Sequence, residues 1–344
     1  MGSHSERWGM TDYVATTPGL YPLPDWVKSE LSDLKGHQRN DLVSGDEPAP
    51  IQEVYAEARA EVVDRQVDAG LDRVVEGQLR WDDMLAHPLA VHGAVETRGL
   101  VRYYDNNNFY REPVVTGPLE FDGDVADELS SVAEDDVERS VPLQAVLPGP
   151  YSLYDLATDG HYGDDAEFLA AVGRFLAGEA EAFPAVDTLF LLEPSLVTNP
   201  PGSAFGERAS EAIDAVARAA DADVVVHTYW RAFEEATYAH LLDAAVDGVG
   251  YDLLADPEAG AEVAAEYGTP DSVALGVVDG QNTRVESPET IRERVEWFEG
   301  QLPPVVDVET VYVTSNTELF YLPVNRFEEK LAALGAATKS EVAA

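Results

Sequence analysis

Cysteine is absent from this 344-residue chain, and lysine occurs only as Lys28, Lys35, Lys330 and Lys339. Without cysteine there are no disulfides, no thiolate nucleophiles and no zinc site that needs sulfur ligands. Cations are scarce altogether: 22 Lys+Arg stand against 65 Asp+Glu, a formal net charge of −43. No Lys/Arg stripe with interleaved aromatics offsets that charge, so a nucleic-acid partner is excluded. Long apolar runs are also missing. No stretch approaches the ~20 residues of a membrane span, and the amino terminus lacks a basic region followed by an apolar one, so a soluble, cytoplasmic protein with no membrane partner is expected.

Hydrophobic residues make up 45% of the chain, enough for a sizeable core. The acidic residues are interleaved with apolar periodic segments rather than gathered in a tail, which argues against global disorder. Self-repulsion on this scale would destabilise a compact state in dilute buffer. A halophilic protein working in a high-salt cytoplasm, where screening is short-ranged, is therefore expected.

Short β-rich runs alternate with longer amphipathic patterns, the signature of βα units and a parallel sheet. Eight runs read as strands: Tyr13 to Thr17, Arg73 to Glu76, Leu143 to Leu147, Thr188 to Leu192, Val224 to Thr228, Gly248 to Asp252, Val273 to Val278 and Thr310 to Thr314. Eight parallel strands predict an α/β fold, a single (β/α)8 TIM barrel. Between strands two and three, the Asn run Asn106 to Asn108 sits between aromatics, and Leu100 to Pro113 reads as a hairpin-like insertion packed by its own rings. Ser287-Pro288 marks a helix start, with Ser287 as N-cap. No linker is apparent, so the expected layout is an amino-terminal extension over residues 1–12, one barrel over 13–338 and a tail over 339–344.

Barrel chemistry sits at the carboxy-terminal ends of strands. Those ends carry Gly19-Leu20-Tyr21-Pro22, Gly77-Gln78-Leu79-Arg80-Trp81-Asp82-Asp83, Pro148 to Ser152, Glu193-Pro194-Ser195, His227-Thr228-Tyr229-Trp230, Tyr251-Asp252, Asp279 to Arg284 and Ser315-Asn316-Thr317-Glu318. Taken as residue types, His227 suits a hydrogen-bonded core histidine better than a lone ligand. Glu193 and Asp252 equally suit buried acceptors for backbone N–H groups or for Arg80, and Asp279 and Arg284 suit a rim ion pair.

In order and spacing these motifs resemble the cobalamin-independent methionine synthase family over nearly the whole chain. The resemblance rests on the Gly19 to Pro22 turn, Gly77 to Met84, Glu193-Pro194, and Gly276-Val277-Val278-Asp279 at the end of strand seven. It is closest to the family's amino-terminal barrel, through Tyr104 to Tyr110, Thr228-Tyr229-Trp230, Gly280-Gln281-Asn282 and Leu322-Pro323-Val324.

That resemblance implies methyl transfer from a methylated donor, a methyl-folate or a related compound, to homocysteine. The family's zinc-bearing barrel holds its metal with His-x-Cys after strand five, a Glu after strand six and a Cys after strand eight. Here those positions are His227, Tyr229, Asp252 and Thr317. The carboxylates for the substrate amine become Gln78 and Leu192, and the proton-donating histidine becomes Gln281.

The resemblance therefore implies a half without the zinc thiolates, binding no cofactor itself and acting with a second, zinc-bearing barrel subunit. Its candidate residues are Gln281, Asp279 and Glu193 for catalysis, and Gln78, Arg80, Asp83, Tyr229, Arg284 and Thr317 for substrate. His227 and Asp252, with Glu193, form the remaining option for zinc. Arg80, Arg102, Arg111 and Arg284 are the rim cations available to a polyglutamate tail. Two alternatives stay open: a stand-alone methyltransferase with an altered metal site or a corrinoid-dependent donor, and an enzyme like the uroporphyrinogen decarboxylase barrels.

Overall fold

The computed structural model describes residues 11–31, 48–104, 108–135 and 141–339. Most of the expected amino-terminal extension, the Asn106-Asn107 hairpin tip and the last five residues lie outside them.

The core is a parallel sheet of seven strands, β1 (Asp12–Ala15), β4 (Gln144–Pro148), β6 (Thr188–Leu192), β7 (Asp223–His227), β8 (Gly248–Asp252), β9 (Ser272–Val278) and β10 (Thr310–Ser315), ordered β1-β10-β9-β8-β7-β6-β4. Helices cover it, so strands such as Thr-Leu-Phe-Leu-Leu in β6 are buried on both faces. A continuous apolar run, rather than an alternating one, is what that environment selects. The first strand pairs with the last, Asp12 against Thr310 and Ala15 against Val313. The helix Pro288–Gln301 begins as its sequence predicts, with the Ser287 hydroxyl accepting from Thr290 N. Among the described residues, no helix is long and apolar enough to cross a membrane.

The strand expected over Arg73 to Glu76 is reduced to a single bridge, Val74 to Leu143. The cause is a side chain. Gln66, buried on the helix Ala49–Ala69, donates from Nε2 to Val75 O at 2.8 Å and accepts from Val75 N at 2.9 Å, taking both groups a neighbouring strand would use. Asp72 N and Arg73 N both donate to Ala15 O, while Val74 binds Pro142 O and Gln144 N. The sheet therefore curls into an open half-barrel whose two edge strands each touch residues 72–74. A closed ring of eight laddered strands is not shown.

The insertion is a hairpin, as expected, but it starts earlier. β2 (Val95–Arg102) pairs antiparallel with β3 (Phe109–Val115), with a bulge between Thr97 and Leu100, and β5 (Thr158–Asp159) adds to β3. The rings of Tyr103 and Tyr110 lie 4.3 Å apart, tilted by 31°, so the aromatics pack within the hairpin.

Candidate functional site

The carboxy-terminal ends of the sheet strands form a mouth lined by buried polar groups. Among the described residues, the non-glycine positions with positive φ are Leu20, Gln78, Tyr104 and Trp230, and all sit around it. Such conformations cost free energy and cluster where a backbone is held for a purpose.

Asp252, at the end of β8, spends its carboxylate on fixing the loops around it. Oδ2 accepts from Trp230 N at 2.8 Å and Asn316 Nδ2 at 3.1 Å; Oδ1 accepts from Leu254 N at 2.9 Å and Ala255 N at 3.0 Å. His227, fully buried, has Nε2 3.0 Å from Asn316 O. Burial lowers it to about 4, so the ring is neutral, Nε2–H donates, and Nδ1 is left as a lone-pair acceptor without a partner. Glu193 caps the short helix Pro150–Leu156: Oε1 accepts from Tyr151 N at 2.9 Å, and Oε2 from Ser152 N and Ser152 Oγ, both at 2.7 Å. Burial pushes Glu193 up to about 7, against the pull of these donors. Gly149 is required beside it, since a Cβ there would lie 2.1 Å from the Glu193 side chain.

Other candidates are likewise committed to structure. Gln78 Oε1 accepts from Leu20 N at 2.7 Å. Asp83 Oδ1 accepts from Leu85 N, Ala86 N and the Tyr103 hydroxyl. Thr317 Oγ1 donates to Glu318 O at 3.2 Å. The rim pair of Asp279 with Arg284 does not form: Asp279 Oδ1 accepts from Gln281 N and Asn282 N, a turn that satisfies it locally. Gln281 and Arg284 are exposed on that loop.

Arg80 serves neither Glu193 nor Asp252. It turns to the helix Asp124–Asp135, 3.0 Å from Asp124 and 3.6 Å from Glu128, where Arg59 also reaches Glu128 at 2.7 Å. Burial alone would raise Asp124, yet His87 and Arg80 hold it down to about 2. Arg111 pairs with Asp82 at 3.3 Å. Arg80 and Arg111 thus face acids of their own.

One buried candidate, Tyr229, and one buried group that was not a candidate, Glu318, are less satisfied than any of these. Neither oxygen of Glu318 has a hydrogen-bond partner, and the Tyr229 hydroxyl has none either. Burial pushes Glu318 up to about 8, against smaller pulls from its own main-chain N–H and then from the Gln281 amide, neither of which reaches hydrogen-bond geometry. Burial, then the charge of Glu318, raises Tyr229. The available signal was position: Glu318 directly follows Thr317 at a strand end.

The donor set does not fit zinc. A zinc ion takes three or four N, O or S ligands, at least three of them from protein. Asp252 already accepts four hydrogen bonds, Glu193 three, and His227 offers one free nitrogen, while Tyr229 and Thr317 stand where the resemblance places sulfur. Among the described residues, no group of three or more His, Asp or Glu side chains is placed to hold a metal.

Comparison with known proteins agrees with this architecture. Residues 91–302 match the family model described as "Cobalamin-independent synthase, N-terminal domain". A methionine synthase of Saccharolobus solfataricus is 21% identical over 327 residues, covering 94% of this chain and 93% of its own length. One from Sulfolobus acidocaldarius is 21% identical, covering 85% of each. In fold, the chain is similar to a B12-independent methionine synthase from Shewanella sp. W3-18-1 solved with selenomethionine, with a TM-score of 0.71, 16% identity and 96% of each chain covered. With a matched model spanning more than half its length, the chain belongs to the cobalamin-independent methionine synthase family, and the part of that family it matches is the amino-terminal domain.

Proposed function

We propose that this protein takes part in methyl transfer from a methylated donor to homocysteine as the half that lacks the zinc thiolates, working with a separate zinc-bearing barrel subunit. One observation carries the reading: at each strand end where the family's metal would need a ligand, the residue present is either already bound to the fold, as Asp252 and His227 are, or is Tyr229 or Thr317 in place of a thiolate. Such a mouth can bind and orient but has no thiolate-activating centre. The half-barrel, completed by residues 72–76 as a degenerate second strand, then serves as a single (β/α)8 unit over residues 13–338. In this role the chain contributes donor binding and closure of the partner's active site.

Methionine formation measured with each chain alone and with both together tests the reading. Activity only in the mixture is expected; full-rate synthesis by this chain alone would overturn it. Metal content by mass spectrometry gives a second check, since stoichiometric zinc lost on His227→Ala would support a stand-alone enzyme instead.

A further inference from the structure

Glu318 and Tyr229 keep their polar atoms free at the mouth. Each residue is 1% exposed, and among the described residues neither Glu318 oxygen nor the Tyr229 hydroxyl has a hydrogen-bond partner. Buried polar groups are almost always partnered, so several free ones in one place point to a ligand that supplies the partners. The unpartnered His227 Nδ1 is a different case. A Cβ on Gly250 would lie 2.1 Å from it, so that nitrogen faces the β8 backbone.

The carboxyl and the phenol act on one another. The charge of Glu318 is the strongest felt by the Tyr229 hydroxyl and by that of Tyr321, a residue 44% exposed that carries the line from this buried pair to the surface. Aromatic rings adjoin the pair. Trp230, held at φ 80°, packs edge-on against Tyr229 at 4.7 Å, and Tyr104 lies 5.3 Å from Trp230; both are partly exposed.

The sign of the surrounding charge selects what can enter. After Glu318, the charges acting on Tyr229 are those of Tyr104 and Glu193, and on Tyr321 those of Asp83 and Asp82, all acidic. Arg80 is drawn away to Asp124 and Glu128, and Arg111 to Asp82. An anion is repelled from such a place, as is a zwitterion whose carboxylate must enter too, while a cation is drawn in. Carboxylate oxygens without donors ask for N–H groups, and aromatic faces in a water-poor site favour an alkylated ammonium over a strongly hydrated inorganic ion. We propose that Glu318 and Tyr229 form a binding site for the ammonium group of a small N-methylated amine, one N–H donating to the Glu318 carboxylate, another to the Tyr229 oxygen, and the methyl group lying against the rings of Tyr229 and Trp230.

The intact chain in molar KCl is titrated with N-methylethanolamine, with butanol as its uncharged carbon isostere, and with sarcosine, in which a carboxylate replaces the alcohol; binding is read by calorimetry. The amine is expected to bind more tightly than either analogue by roughly tenfold or more, the worth of one well-made charged contact. Glu318→Gln, which keeps the shape and drops the charge, is expected to weaken the amine to a similar degree and to leave butanol unchanged, and Tyr229→Phe to weaken the amine severalfold. Butanol or sarcosine binding as tightly as the amine would overturn the site, because selection by charge would be absent. Amine affinity undiminished in Glu318→Gln, or no binding by wild type, overturns it as well. Only this chain is used, so none of these results touches the two-subunit reading, which stands or falls on the mixed assay.

Discussion

The ring of His227 and the main-chain carbonyl of Asn316 are joined at 3.0 Å, tying the end of β7 to the end of β10 past the two strands that lie between them. The Asn316 side chain extends the tie, donating to Asp252 Oδ2 at 3.1 Å and accepting from Gly280 N at 3.0 Å. A histidine at this position thus works as a strut of the mouth. Asn316→Ala leaves a buried N–H without its acceptor and removes one donor from Asp252, so a loss of about 1–3 kcal/mol is expected in denaturant unfolding. A change below about 0.5 kcal/mol would show that the side-chain bonds of Asn316 carry no stability.

Gly149 and Glu193 form a pair that a double-mutant cycle can read. Gly149→Ala drives a methyl group into the Glu193 side chain. Glu193→Ala removes the acceptor of Tyr151 N and Ser152 N. Each single change is expected to cost at least about 2 kcal/mol, and the double variant less than their sum by about 0.5–3 kcal/mol, because the clash vanishes with the carboxyl. Simple additivity would mean that the two do not share a site.

Gln66→Leu keeps side-chain size but leaves the Val75 N–H and carbonyl without partners. A penalty of about 2–5 kcal/mol is expected from two buried main-chain groups losing hydrogen bonds. An unchanged unfolding midpoint would mean that Val75 finds strand partners without it.

Glu318 makes a prediction in pH. Its carboxyl is raised to about 8 in the folded protein from an ordinary value near 4.5. The folded state therefore binds the proton more tightly than the unfolded chain, so this group's stability contribution is present below the unfolded value and is lost as pH climbs towards 8. Glu318→Gln, which cannot ionise, should flatten the fall in stability between about pH 5 and 8. A tenfold difference in proton affinity is worth about 1.4 kcal/mol, so the variant should be more stable than wild type by at least about 1 kcal/mol at pH 8. The same slope in both proteins would show that Glu318 is not displaced.

Net charge sets the last expectation. With −43 on the chain, raising KCl from dilute buffer to molar concentration shortens the Debye length from ~30 Å at 0.01 M to ~3 Å and relieves self-repulsion. The thermal midpoint should rise with salt; a flat response would rule out adaptation to high salt.

Legibility in the sequence followed the locality of the forces. β6 and β8 are found at the residues read as strands; for β6 an apolar run bounded by polar residues leaves little choice of limits. The Ser287 cap was readable for the same reason, its partner being three residues away. The second strand was misread because what consumes the hydrogen bonds of Val75 is a glutamine side chain on a helix, invisible to periodicity. At the mouth, the reading of Asp252 and Glu193 as acceptors of backbone N–H groups agrees with the structure, while Arg80 as their partner does not. Its pull towards Asp124 depends on where a distant helix packs. Glu318 went unselected because an unpartnered carboxyl is defined by what surrounds it, which only folding decides.

The pairing of β1 with β10 has a consequence for how the chain is made. Thr310 lies almost 300 residues downstream of Asp12. At roughly 5–20 residues per second on the ribosome, the first strand waits about 15–60 s for its neighbour. Throughout that interval the edge of β1 that faces β10 has no strand partner, while the acidic residues of the chain keep neighbouring copies apart by repulsion.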